Sequence, residues 1–272
     1  MFEHIRLFIG SLFLFLQNLI KFPIIESSLY NVVNDISTRI QTRNSSKNSS
    51  KNKEQEQEIV IDKTIMSYNI HGGFDYRYHY KLDNMIDFLV QHKCGILCLQ
   101  EITNEAQFNY IKSKLNYTNS YLSNNNGIFT DFELESSHTV ALNNFYLYKN
   151  NSFIHSHIKI NDMELNIINI HLTSDITGFK QKNEKTEIVN YIETHKLNDV
   201  LIIGDTNCID SFDKHDMLLK YTKHSLGSTY PSLYPLMALD KLYTKNVDIV
   251  DGERFECKDL SDHLAVKYIF KC

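Results

Sequence analysis

The 272-residue chain has no tryptophan, no internal repeat, no excess of positive charge and no uncharged run long enough to cross a bilayer. Tyrosine and phenylalanine, 16 of each, therefore supply all the large aromatic surface for a core. Five cysteines (Cys94, Cys98, Cys208, Cys257, Cys272) are odd in number and form neither a CxxC pair nor a zinc spacing. Structural zinc is thereby set aside, and a reducing compartment is the expectation. The formal net charge is −5. Residues 1–58 hold seven of the 28 basic and six of the 33 acidic residues, so the remainder carries 21 against 27, a net −6. Non-specific wrapping of nucleic acid needs a positive face for counterion release, and overall charge offers none.

Composition divides the chain into three. In residues 1–40 the stretch 5–25 is apolar, with its uncharged part running from Leu7 to Ile20. That is about fourteen residues, where a spanning helix needs roughly 20. It can lengthen to Ile25 if Lys21 snorkels, although Pro23 opposes helix there. Arg6 before an apolar core also resembles a signal peptide, but no small-x-small cleavage site follows. The expectation is membrane association through residues 5–25, the alternative being a helix packed on the domain of a soluble cytoplasmic protein. Residues 41–58 (QTRNSSKNSSKNKEQEQE) are polar and low in complexity. They cannot bury enough apolar surface to offset the entropy of ordering, and read as a linker. The folded domain is expected over 59–272.

Within it, short β-rich runs alternate with amphipathic stretches. The pattern predicts strands at 64–70, 95–100, 127–130, 139–148, 153–160, 164–172, 200–204, 238–243 and 264–270. It predicts helices at 81–91, 104–115 and 179–195. Helix–strand units at both ends with antiparallel hairpins between them predict an α+β sandwich, not a purely parallel sheet.

The informative feature is what stands at the strand ends. The first strand carries Asn69 and runs into His71-Gly72-Gly73, and the next ends in Gln100-Glu101. Others end in Asn169-Ile170-His171 and Gly204-Asp205-Thr206-Asn207, and Ser261-Asp262-His263 precedes the last. Asp240 lies inside the apolar stretch Met237–Leu242. Each has a plain alternative: Glu101 capping the helix near Asn104, or Asp205 organising its own turn. Strand ends converge in space, however, so six such positions together describe one cluster. Asp, Glu and Asn suit a hard cation such as Mg²⁺ more than zinc. Nearby histidines suit proton transfer or phosphate contact.

The ordered motifs SYNIHGG, LQE, NIHL, GDTN, LDKLY and SDHLAV resemble those of the endonuclease/exonuclease/phosphatase superfamily, over about residues 64–270. STYPSLYPLMALDKLY and SYNIHGG are closest in wording to small bacterial-type members. The resemblance implies a four-layer α/β/β/α sandwich of two mixed sheets flanked by helices. It also implies a Mg²⁺- or Mn²⁺-dependent phosphoester hydrolase acting by in-line attack of water. By motif, Asn69, Glu101 and Asp262 match the metal-side residues, with Glu101 the direct ligand. Asp205 and Asn207 match the pair that activates and positions water, and His263 the histidine at the phosphate. Asp240 matches the carboxylate orienting His263, and His171 a second phosphate contact.

The substrate implied is a lipid, nucleotide or nucleic-acid phosphoester, turned over by a monomer. Asn151 and Ser152 stand where many relatives carry an arginine, and the short domain leaves little room for substrate-reading loops. The alternative is a catalytically idle relative acting as a binding or scaffold module. Such a relative would usually have lost Glu101, Asp205, Asn207 or His263, and all four are present.

Overall fold

A computed structural model describes residues 63–142, 151–174, 181–209 and 217–271. The apolar segment, its expected anchor at 5–25 and the linker 41–58 lie outside them. Among the described residues no helix is long and apolar enough to cross a membrane.

Twelve strands form two six-stranded mixed sheets. The first contains β1 (Thr64–Asn69), β2 (Ile96–Gln100), β3 (Asn119–Ser123), β4 (Asn126–Thr130), β11 (Asp248–Arg254) and β12 (Val266–Lys271), in the order β11-β12-β1-β2-β4-β3. The second contains β5 (Glu133–Ala141), β6 (Ser152–Ile160), β7 (Met163–His171), β8 (Val200–Asp205), β9 (Thr222–His224) and β10 (Asp240–Lys245), in the order β5-β6-β7-β8-β10-β9. Each sheet has one parallel pair at its centre, β1/β2 and β7/β8.

Strand alternation decides the layers. In β1 and β2, Ile65, Ile96 and Cys98 face the second sheet, where they meet Ile154, Ile167, Leu201 and Ile203. The residues between them, Met66, Tyr68, Leu97 and Leu99, face two helices, α1 (Leu82–Gln91) and α2 (Glu105–Leu115). On the outer face of the second sheet Ile168, Ile170 and Ile202 pack on Ile188, Val189 and Ile192 of α3 (Gln181–Thr194). The result is the expected α/β/β/α sandwich. Full burial of each Ile or Leu contributes roughly 1.5–3 kcal/mol.

The helix over 104–115 starts at Asn104, whose Oδ1 accepts the Gln107 N–H at 2.9 Å. Asn104 is thus the N-cap, and Glu101 is not. The strand expected at 139–148 is instead Glu133–Ala141. It is a polar, exposed edge strand with a bulge between Leu134 and Ser136, so apolar alternation does not mark its start. Residues 143–150 lie outside the described set. Three further strands, β3, β9 and β11, are edge strands with too few apolar residues for the pattern to reveal.

Candidate active site

Topology gathers the polar strand ends. β1 and β2 run parallel with Asn69 opposite Gln100, and β7 and β8 run parallel with His171 opposite Asp205. β10 is antiparallel to β8 and starts at Asp240, which pairs with Asp205. β12 is antiparallel to β1, so the preceding Asp262 and His263 reach the same edge. All six positions therefore lie at one end of both sheets.

Asn69, fully buried, joins the two sheets. Its Nδ2 donates to Glu101 Oε1 at 3.0 Å and to Asp205 Oδ2 at 3.1 Å, while its Oδ1 accepts the His71 N–H at 3.0 Å. This amide orientation follows from the network, since the reverse would aim an oxygen at two carboxylates. Ser261 Oγ fixes the strand end from behind by donating to the Asn69 carbonyl at 2.7 Å. Below, Gln100 Nε2 donates across the sandwich to Asn169 Oδ1 at 2.8 Å.

Backbone geometry completes the placement. Continued alternation would send Glu101 toward the helices beside Leu97 and Leu99. Its φ of 61° turns the side chain back to the inter-sheet face, where it meets Asn69. Left-handed backbone at a non-glycine residue costs about 1–3 kcal/mol and clusters at functional sites. His71 (46°) and Asn207 (48°) share this conformation at the same edge. Gly204 has φ 142°, and a Cβ there would overlap the carbonyl oxygen of Ile170, so only glycine lets β8 approach β7.

Asp205 is 1% exposed, and its two oxygens have separate tasks. Oδ1 accepts the Asn207 N–H at 2.8 Å, which is the turn-forming role. Oδ2 faces Asn69, His263 Nε2 at 3.6 Å and His171 Nε2 at 3.8 Å. His171 Nε2 is also 3.6 Å from Glu101 Oε1. His263 Nδ1 lies 2.9 Å from Asp240 Oδ2. Burial alone would depress the imidazole, but the Asp240 and Asp205 carboxylates more than reverse this and hold it well above the usual histidine value. The two carboxylates thus favour the charged form of the His263 ring. Burial lifts Asp262 above the usual carboxylate range, with Glu101 and Asp205 adding to it against His263 and His71.

A cation fits the donor set. Glu101 and Asp205 both act on Asp262 as like charges. Glu101 is one-third exposed, so its carboxylate remains reachable. Asp205, Asp240 and His263 also offer ligand atoms within 4.8 Å of one another. There, however, His263 Nδ1 is already committed to Asp240, and a cation beside an imidazolium gains little.

A second layer escaped the sequence reading. Glu184, fully buried, accepts from Thr173 N at 2.9 Å, from Thr173 Oγ1 at 2.6 Å and from Asn151 Nδ2 at 2.6 Å. Gln181 Nε2 donates to the Asn207 carbonyl at 2.9 Å. Asn207 Nδ2 in turn donates to the Leu172 carbonyl at 3.0 Å, so loops 171–173 and 205–208 are braced together. The signal was present: Gln181, Glu184 and Lys185 continue the buried stripe of Ile188, Val189 and Ile192 at helical spacing. Tyr230, whose ring centroid is 4.9 Å from that of His263, was also missed.

The Endonuclease/Exonuclease/phosphatase family profile matches residues 66–263, and the chain belongs to that family. No curated protein matches the sequence. Among solved structures, the chain is similar to a functionally unknown conserved protein from Enterococcus faecalis V583, at 14% identity and TM-score 0.64, covering 76% of this chain and 99% of that one. It is similar to an endonuclease/exonuclease/phosphatase from Bacteroides vulgatus, at 14% identity and TM-score 0.62 over 76% and 98%. A third is D. rerio TDP2 complexed with single strand DNA product, at 13% identity and TM-score 0.61 over 77% and 98%.

Proposed function

We propose that the chain is a Mg²⁺- or Mn²⁺-dependent phosphoester hydrolase in which Asp205 activates water and His263 receives charge from the phosphate. The observation that carries this reading is the convergence on Asp205 Oδ2 of Asn69 Nδ2 at 3.1 Å, His263 Nε2 at 3.6 Å and His171 Nε2 at 3.8 Å. This oxygen, held by one hydrogen bond and facing two imidazole nitrogens at the edge where both sheets end, suits a base facing an anionic electrophile.

Glu101 and Asp262 would hold the cation, with the Asn69 NH₂ orienting the Glu101 carboxylate. When bound, the cation supplies neutralisation of charge on phosphate oxygens. The chain's own residues supply the remainder. Asp205 Oδ2 takes the proton of the attacking water while Asn207 N–H holds Oδ1 in place. The water oxygen bonds to phosphorus as the ester P–O bond breaks. His263 donates from Nε2–H to a non-bridging oxygen, its Nδ1–H held by Asp240, and His171 contacts the phosphate from the opposite strand pair.

Lipid, nucleotide and nucleic-acid phosphoesters all satisfy this chemistry; the DNA product named with D. rerio TDP2 supports the last. The test is hydrolysis of bis-p-nitrophenyl phosphate by the purified full chain. Activity should be abolished by EDTA and restored by Mg²⁺ or Mn²⁺. Inactivity under all these conditions would favour the idle binding module. Restoration by Zn²⁺ alone would argue for a different metal site.

A further inference from the structure

Between the turn at His71–Gly73 and α1 the chain reads Phe74-Asp75-Tyr76-Arg77-Tyr78-His79-Tyr80-Lys81. A buried carboxylate holds this loop from within. Asp75, 4% exposed, accepts the N–H groups of Arg77 at 2.8 Å and His79 at 2.9 Å, and its Oδ2 is 3.1 Å from His79 Nδ1. Its backbone bonds both ways as well, Tyr78 N–H to Asp75 O and Asp75 N–H to His79 O, each at 2.9 Å. Phe74 bridges to Tyr80, and Lys81 N–H reaches Gly73 O at 2.7 Å.

This well-braced loop turns its aromatic rings outward. Tyr78 and Tyr80 are 60% and 59% exposed, the most exposed tyrosines among the described residues. Tyr78 has φ 63°, the left-handed backbone that closes the turn from Asp75 to His79. The loop also adjoins the catalytic edge. The Tyr78 ring packs edge-on against His71 at 5.2 Å, and His71 Nδ1 is 3.7 Å from Asp262 Oδ1.

We infer that Tyr78 and Tyr80 form a base-stacking platform at the mouth of the site, and that the phosphoester bound there belongs to a single-stranded polynucleotide. The inference rests on the phosphoesterase reading and narrows its substrate. Arg77, His79 and Lys81 interleave cationic or hydrogen-bonding groups with the rings, the combination that stacks bases and tracks phosphates. A lipid headgroup offers no π face to stack on these rings. Duplex bases are already stacked, and the acidic domain lacks the charge to wrap a duplex.

The test uses the full chain. Binding of short fluorescent DNA and RNA single strands is measured by anisotropy, beside strands of equal length with abasic positions. Hydrolysis of bis-p-nitrophenyl phosphate is followed on the same preparations. Base-bearing strands should bind about 5- to 150-fold tighter per stacked base than abasic ones. Tyr78→Ala and Tyr80→Ala should each remove most of that preference, and Tyr78→Phe should keep it. Equal binding of base-bearing and abasic strands overturns the proposal, as does a preference that survives both alanine variants. Tyrosine-dependent binding to phosphatidylserine vesicles without strand binding overturns it in favour of a membrane. A tyrosine-dependent base preference without hydrolysis of the small diester supports the platform and counts against the hydrolase reading instead.

Discussion

His263 Nδ1 and Asp240 Oδ2 lie 2.9 Å apart, both buried, and this contact sets the charge state of the site. Burial disfavours the charged ring, and the Asp240 and Asp205 carboxylates more than offset it, raising the His263 pKa. Activity should therefore hold below the raised folded-state pKa and fall as pH rises through it. Asp240→Asn removes a raising charge, so the alkaline limb of kcat/KM should move to lower pH. The loss at neutral pH should be smaller than the roughly 10²–10³-fold expected for His263→Ala. An unmoved limb would show that Asp240 does not govern the imidazole.

Glu101→Gln removes the reachable carboxylate but leaves an oxygen for Asn69 Nδ2. The Mg²⁺ or Mn²⁺ concentration giving half-maximal activity should rise by about tenfold or more. A wild-type metal dependence would mean that Glu101 holds no cation.

His155, outside the site, supplies a stability signature. Its Nδ1 lies 2.9 Å from Tyr191 OH, which also meets His138 Nε2 at 2.7 Å, and its Nε2 lies 2.9 Å from Asn166 Oδ1. Burial, and then His138, His157 and His195, bring it down to about 4 against the pull of Asn166. A lowered histidine means the unfolded chain binds more protons between about pH 6.5 and 4, so the associated destabilisation is absent above that window. It builds as pH falls through it, to about 3 kcal/mol. His155→Gln should flatten the fall of melting temperature over this range, as followed by circular dichroism. An unchanged slope would place the acid sensitivity elsewhere.

Gly204→Ala forces a Cβ onto the Ile170 carbonyl where β7 and β8 meet. It should cost about 3 kcal/mol or more in denaturant unfolding, or prevent folding. A loss below about 1 kcal/mol would mean that the strands separate freely there.

Much of this molecule was legible in the sequence, for identifiable reasons. Core strands such as Ile96–Gln100 and Val200–Asp205 are buried on both faces and so read as apolar runs. Their polar endings were equally visible, because a carboxylate after such a run stands out. The edge strands Asn119–Ser123 and Asp248–Arg254 bury little and left no pattern. Glu101 was legible as a candidate, but the left-handed turn that aims it was not, since nothing local in Gln100-Glu101-Ile102 demands φ 61°. Nor could sequence show that Asn69 bonds both Glu101 and Asp205, a contact across 136 positions in the latter case.

The central claim is that Asp205 activates water, and turnover with unfolding on the same Asp205→Ala sample tests it most directly. Removing a general base costs about 10²–10⁴-fold in rate. The variant should lose kcat by that factor with bis-p-nitrophenyl phosphate in saturating Mg²⁺ or Mn²⁺, while its unfolding remains cooperative and active-site-independent circular dichroism is preserved. A variant that melts earlier but turns over at the wild-type rate per folded molecule would contradict the account and leave Asp205 as a turn-forming residue alone.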